Sequence, residues 1–219
     1  MANPAAPTSR TLPQTPAVYA LILAGGLSSR MGQDKALLQI NGETLLQRTC
    51  RIAQSCVSQV AVITPWGDRY HASVDPQVKF IAETPLIEGE PNGSLVGFAQ
   101  GFQELMSMQP DWVLLLACDL PRLSAPVLQT WATQLPASPT EPIWIPRNPQ
   151  GWWEPLCGFY HRNCLPSLVA YLEEGGRSLQ RWLAQQSVQE LYLEDYGMLL
   201  NCNTPADWGS GEWGVGSGE

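Results

Sequence analysis

Val18-Tyr19-Ala20-Leu21-Ile22-Leu23-Ala24-Gly25-Gly26 is an apolar run of strand length that stops at a pair of glycines. So short a run, without polar alternation, reads as a strand buried on both faces, and its glycine stop marks the turn that follows. The same pattern recurs downstream. Leu45, Thr49, Ile52, Ala53 and Cys56 share one helical face after a candidate cap at Thr44, and Val60-Ala61-Val62-Ile63 then forms a second buried strand. Phe80-Ile81-Ala82 is a third strand. The turn at Asn92-Gly93-Ser94 opens a helix whose apolar face includes Leu95, Phe98, Phe102 and Leu105, and Val113-Leu114-Leu115-Leu116 is a fourth strand that leads to Asp119. Further helices are predicted over 125–135, 165–174 and 179–185, with strands at 143–145 and 156–160. Alternation of this kind predicts a three-layer α/β/α sandwich with a Rossmann-like, mostly parallel sheet, in which ligands gather at the carboxyl ends of the strands.

The chain has 219 residues, of which 44% are hydrophobic, enough for one sizeable core without disulfide or metal staples. We expect a folded domain over 17–208, a flexible Pro-, Ala- and Thr-rich leader over 1–16, and a disordered Gly-rich tail over 209–219. The Pro-containing stretch 135–142 reads as a surface loop. Apolar runs fall well short of the ~20 residues that span a bilayer, and the leader lacks the pattern of a secretory signal, so the expectation is a cytoplasmic protein without a membrane partner. A formal net charge of −8, with no long basic cluster, disfavours nucleic acid as a partner. A small phosphate ligand would then be captured locally, by backbone amides, a few cations and a bound metal ion. The cysteines Cys50, Cys56, Cys118, Cys157, Cys164 and Cys202 contain no C-x-x-C pair, and only His71 and His161 could complete a zinc site; reduced, mostly buried thiols are expected.

Directly after the first strand stands Leu23-Ala24-Gly25-Gly26-Leu27-Ser28-Ser29-Arg30-Met31-Gly32-Gln33-Asp34-Lys35. Glycines let a backbone approach phosphate oxygens closely, exposed amides supply neutral donors, and Arg30 and Lys35 supply charged ones. The string fits neither G-x-x-x-x-G-K-[ST] nor G-x-G-x-x-G. By itself a glycine pair is also an ordinary tight turn, and each cation also reads as a solvated surface charge. Ala117-Cys118-Asp119-Leu120-Pro121 places an acidic residue just past an apolar strand. Such a carboxylate either holds Mg²⁺, which takes one or two carboxylates plus water and phosphate oxygens, or caps the helix that begins near Ser124.

These strings together resemble the molybdenum cofactor guanylyltransferase family, within the glycosyltransferase-A-like nucleotidyltransferases, whose fold is of the nucleotide-diphospho-sugar transferase type. The likeness rests on Leu23-Ala24-Gly25-Gly26, Arg30-Met31-Gly32 and Asp34-Lys35, and continues through Gly93-Ser94-Leu95-Val96-Gly97, Cys118-Asp119-Leu120-Pro121 and Asn201-Cys202-Asn203-Thr204-Pro205. It implies an enzyme that moves GMP from GTP to the terminal phosphate of molybdenum-molybdopterin and releases pyrophosphate. Leu23, Ala24, Gly25, Gly26, Lys35, Glu83, Gly93 and Asp119 would bind the nucleotide. Lys35, Arg30 and Asp119 would be catalytic, and Asp119 would hold Mg²⁺ as the cofactor. Transient contact with molybdopterin-supplying or molybdoenzyme-maturation proteins is a further implication.

The chain departs from the family pattern at several positions. Glu83 stands where Asp is common, Ile63 or Thr64 where Asn is common, and Ser94 and Val96 replace Pro and Ala. Asn203 and Thr204 either touch the pterin or cap the last helix, and Trp152 and Trp153 either stack on a planar ring or simply pack. Two rival functions share the residues: a sister transferase using CTP or another phosphorylated acceptor, and a non-catalytic carrier of nucleotide or molybdopterin.

Overall fold

The computed structural model describes residues 15–25, 34–88 and 92–201. Positions 1–14 of the expected leader, the loop residues Gly26 and Arg30, and Cys202, Asn203, Thr204 and the tail lie outside the described residues. In chain order the strands are β1 (Val18–Leu23), β2 (Gln39–Ile40), β3 (Glu43–Thr44), β4 (Gln59–Thr64), β5 (Lys79–Ala82), β6 (Trp112–Ala117), β7 (Ile143–Pro146), β8 (Cys157–His161) and β9 (Val188–Leu191). The α-helices are α1 (Leu45–Gln54), α2 (Gly67–Tyr70), α3 (Ser94–Leu105), α4 (Ala125–Ala132), α5 (Leu165–Glu173) and α6 (Leu179–Leu183).

A seven-stranded sheet runs in the order β5-β4-β1-β6-β8-β7-β9, and β8 alone is antiparallel to its neighbours. The expected mostly parallel sheet is therefore present. Its register decides where the site falls. Leu23 at the end of β1 lies opposite Ile63 of β4 and Ala117 of β6, while Thr64 lies opposite Ala82 of β5. Four parallel strands thus finish at one edge, and the residues that follow them, 24–25, 83 and 118–119, emerge side by side.

Strand alternation divides the core into two faces. Ala20, Ile22, Val60, Val62, Leu114 and Leu116 point to the side covered by α1 and α4, through residues such as Leu46, Ala53, Leu128 and Trp131. Leu21, Ala61, Ile63, Val113 and Leu115 point to the side covered by α3, α5 and α6, through Phe98, Phe102, Leu168 and Trp182. Both layers are fully buried, with Ile22 and Leu114 on one face and Phe98 and Trp182 on the other at 0% exposure, so each large side chain contributes about 1.5–3 kcal/mol by leaving water. Close approach of α3 to β1 requires Gly101, because a Cβ there would stand 2.6 Å from Leu21 Cδ2.

The expected cap of α1 is a full capping box. Thr44 Oγ1 accepts from the Gln47 amide at 3.1 Å, and Gln47 Oε1 accepts from the Thr44 amide at 2.8 Å. Just before it, Asn41 (φ 53°) and Gly42 (φ 80°) make the two-residue turn of the β2–β3 hairpin, the left-handed pair that such a tight connection demands. Residues 135–142 carry no helix or strand, as expected of a surface loop.

Candidate functional site

A cleft with a cavity volume of about 220 Å³ opens at the sheet edge where the parallel strands end. Leu23, Ala24, Gly25, Lys35, Glu83, Gly93 and Asp119 all line it, so every described residue expected to bind nucleotide faces one space. Asp34, Asn92, Ser94, Gly97, Cys118 and Leu156 also line it, without having been singled out as ligands.

Asp119 leaves the end of β6 on a turn fixed from two sides. The Cys118 amide donates to Leu23 O at 3.3 Å, and Arg48 Nε from α1 donates to Pro121 O at 2.9 Å. Its carboxylate does not cap α4, whose first turn follows Ser124 without a side-chain cap. Lys35 Nζ approaches Asp119 Oδ2 at 3.2 Å instead. The two side chains are 17% and 19% exposed, so the pair is shielded enough to attract more strongly than surface charges do, yet open to a ligand. Lys35 begins a 3-10 turn, Lys35–Leu37, capped by Asp34, whose Oδ1 accepts from the Ala36 amide at 3.1 Å. Asp34 Oδ2 accepts from Tyr70 Oη at 2.6 Å and from Arg69 Nη1 at 2.9 Å. Tyr70 and Arg69 stand some thirty-five positions away along the chain, in a helix too short for its periodicity to be read, and no sequence signal marked them.

Glu83 forms the opposite wall. Its amide donates to Thr64 O at 3.0 Å, extending the β4–β5 pairing by one residue, and its carboxyl rests against Gly25 and Gly97. A Cβ at Gly25 would collide with Glu83 Oε2, and one at Gly97 would stand 3.2 Å from Oε1. Burial pushes the Glu83 carboxyl above its ordinary pKa, against a smaller opposing effect from its hydrogen bond with the Asn92 side chain. Ile63 and Thr64, the two candidates for the position where the family pattern has Asn, do not line the cleft. Thr64 has another role. Its hydroxyl donates to Ala24 O at 2.8 Å and accepts from the Trp66 amide at 3.1 Å, so it braces the strand ends instead.

Between these walls, α3 directs its N-terminal end into the cleft through Gly93, Ser94 and Gly97, and among the described residues no side chain caps its first turn. Open amides and the positive end of the helix dipole favour an anion there. Neither histidine, neither Trp152 nor Trp153, lines the cleft; Trp153 instead lies under Arg147, at 4.0 Å from the guanidinium carbon to the ring centroid. The described cysteines are all free thiols, and burial raises the Cys118 thiol so far that it stays protonated.

The donor set fits a magnesium ion shared with a phosphate ligand. Among the described residues no group of three or more His, Cys, Asp or Glu could enclose a metal alone. Asp119 offers hard carboxylate oxygens, and Mg²⁺ characteristically takes one or two such groups and leaves its other positions to water and phosphate.

Residues 20–190 match the MobA-like NTP transferase domain. A Nostoc sp. protein named "Probable molybdenum cofactor guanylyltransferase" is 51% identical over 189 residues, 86% of this chain and 87% of that protein. A protein of the same name from Synechococcus elongatus is 47% identical over 190 residues, covering 86% and 95%. Among solved structures, molybdopterin-guanine dinucleotide biosynthesis protein A from Archaeoglobus fulgidus superposes with a TM-score of 0.66 at 19% identity, covering 86% of this chain and 94% of that one. CMP:2-keto-3-deoxy-manno-octonic acid synthetase superposes with a TM-score of 0.64 at 17% identity, covering 87% and 94%. At these identities the structures speak for the fold alone. No described helix is long and apolar enough to cross a membrane.

Proposed function

Because this chain belongs to the molybdenum cofactor guanylyltransferase family of MobA-like NTP transferases, we propose that it transfers GMP from GTP to the terminal phosphate of molybdenum-molybdopterin and releases pyrophosphate. The observation that carries the reading is the convergence of Lys35, Asp119, Glu83 and the open end of α3 on one cleft of triphosphate-binding character. Likeness to relatives so named at 51% and 47% identity supports the choice of substrates.

In the proposed reaction an oxygen of the acceptor phosphate attacks the α-phosphorus of GTP. A P–O bond forms there as the bond to the β-phosphate oxygen breaks, and the electron pair leaves with pyrophosphate. The nucleophile is already an anion, so no side chain has to remove a proton from it. Catalysis then rests on alignment and charge. Lys35 donates its charged N–H groups to the phosphates and stabilises the departing pyrophosphate. The backbone amide of Gly25, with those at the start of α3, holds the remaining oxygens, while the Ala24 amide stays bonded to Ile63 O. Asp119 is the residue that would hold Mg²⁺, which supplies Lewis-acid neutralisation of phosphate charge when bound. Glu83, one methylene longer than the Asp common in the family, accepts hydrogen bonds from the nucleotide at the far wall. Arg30 and Gly26 complete the loop in this reading.

The same proposal makes the protein cytoplasmic. It also implies transient contact with proteins that supply molybdopterin or receive its dinucleotide, since both acceptor and product must be handed on. Incubating purified protein with molybdopterin, Mg²⁺ and each of the four common nucleoside triphosphates tests the function, with products identified by mass. The GMP adduct and pyrophosphate should form with GTP. A CMP adduct would reassign the chain to a sister transferase, and GTP binding without any adduct would make it a carrier.

A further inference from the structure

Lys35 stands at the start of a 3-10 turn of three residues, which has too few hydrogen bonds of its own to fix where a long, flexible ammonium side chain points. Asp119 meets the ammonium itself, and Asp34 adds a constraint on the turn from which the side chain springs. Asp34 Oδ1 accepts from the Ala36 amide at 3.1 Å, closing the turn around Lys35, and its Oδ2 is held by Tyr70 Oη at 2.6 Å and Arg69 Nη1 at 2.9 Å. The two outer partners differ in kind. The Arg69 side chain is 50% exposed, and an ion pair in that setting is screened and weak. Tyr70 is fully buried and shares a core cluster with Ala24 and Ala36, so packing on its ring sets where its hydroxyl arrives. A short hydrogen bond to a carboxylate is among the stronger ones a side chain makes.

We propose that Tyr70 is a positioning residue for the transfer reaction, acting through Asp34 to set the turn that aims the Lys35 ammonium at the triphosphate. The inference rests on the reading that Lys35 contacts the nucleotide phosphates. It accounts for a hydroxyl embedded in an otherwise apolar cluster directly behind the cleft. The chain of contacts is continuous: α2 holds Asp34, Asp34 closes the turn, and the turn presents Lys35 to the cleft beside Asp119.

Tyr70→Phe keeps the buried ring and removes one hydroxyl. We expect kcat/KM for GTP to fall about tenfold, the loss of one charge-assisted hydrogen bond, with the KM for molybdopterin unchanged. The decisive measurement is a double-mutant cycle with Lys35→Ala. If Tyr70 acts through Lys35, adding Tyr70→Phe to Lys35→Ala changes kcat/KM by less than about twofold. A purely structural hydroxyl would lower both backgrounds by the same factor, and that result overturns the inference. Asp34→Asn, which keeps an acceptor for the Ala36 amide, is the second variant and should show the same dependence on Lys35. Wild-type activity in Tyr70→Phe and Asp34→Asn beside a crippled Lys35→Ala defeats the inference alone. Wild-type activity in Lys35→Ala defeats the functional reading, and the inference with it.

Discussion

The cleft has two acidic walls, and they are built in opposite ways. On one side Asp119 meets a cation, Lys35 Nζ at 3.2 Å, on a turn pinned by Arg48 and by the end of β1. On the other, Glu83 meets no cation among the described residues and is instead packed against the bare backbones of Gly25 and Gly97, where burial raises its pKa. One wall sets its carboxylate against an ammonium, an arrangement that suits phosphate and metal. The other keeps its carboxyl partly dehydrated, which suits directional hydrogen bonds to a neutral heterocycle. In the proposed reaction this difference would orient GTP along the cleft, with phosphates toward β6 and base toward β5.

The largest expected effects test the charged wall. Asp119→Ala or Lys35→Ala should lower kcat/KM for GTP by about 10³-fold, since one preorganised charged group is worth roughly 3–4 kcal/mol in a transition state. Pyrophosphate release measures the loss, and an unchanged far-ultraviolet circular dichroism spectrum shows that the fold survives. Near-normal turnover in both variants would erase the distinction between the walls.

A smaller effect is expected at the other wall. Gly25→Ala drives a methyl group into the Glu83 carboxyl and should raise the KM for GTP about tenfold, equivalent to about 1.4 kcal/mol. Combining it with Glu83→Asp, which withdraws the carboxyl by one methylene, should recover part of that loss. If the second change only deepens the defect, the two residues are not coupled through this contact.

The smallest effect is one of stability. Because the folded-state pKa of Glu83 is raised, the folded protein holds this proton to higher pH than the unfolded chain. Its contribution therefore opposes folding progressively as pH rises from the ordinary 4.5 through the raised value, and remains unfavourable above it. Glu83→Gln removes that penalty. Its Tm should exceed that of the unliganded wild type by about 2 °C near pH 8, with the gap closing below pH 4.5. A Tm gap of equal size at both pH values would assign the gain to packing instead of charge.

Much of the charged wall was legible in the sequence. Asp34-Lys35 and Cys118-Asp119-Leu120-Pro121 stand beside strands whose apolar runs are unbroken, and β1, β4 and β6 fall where those runs predict them. Thr44 was legible as a cap because its hydroxyl needs only the amide three residues on. What escaped is either very short or very distant. β2, β3 and α2 are two to four residues long, below any measurable period, although Asn41-Gly42 is a hairpin signal that could have been read. β9 has only four residues, and its Gln189-Glu190 centre hides it. The strand expected at 156–160 exists as β8, but its reversed direction depends on which strands it meets, and no local pattern encodes that. The Glu83 wall was legible only as a family position. Its contact with Gly25 and Gly97 joins three separate segments, and the hold of Tyr70 on Asp34 joins two.

The reversal of β8 sets how freely each part of the molecule can change. Around the cleft, β1, β4, β5 and β6 are parallel, so every link between them must travel the length of the sheet and return, and altering one disturbs a packed layer. From β7 to β8 the chain simply doubles back at the same edge, through 147–156, and its last residue, Leu156, reaches the cleft floor. A link of that sort can lengthen, shorten or exchange its side chains without rethreading anything. Evolution is thus free to reshape this side of the cleft while the edge formed by the four parallel strands stays fixed.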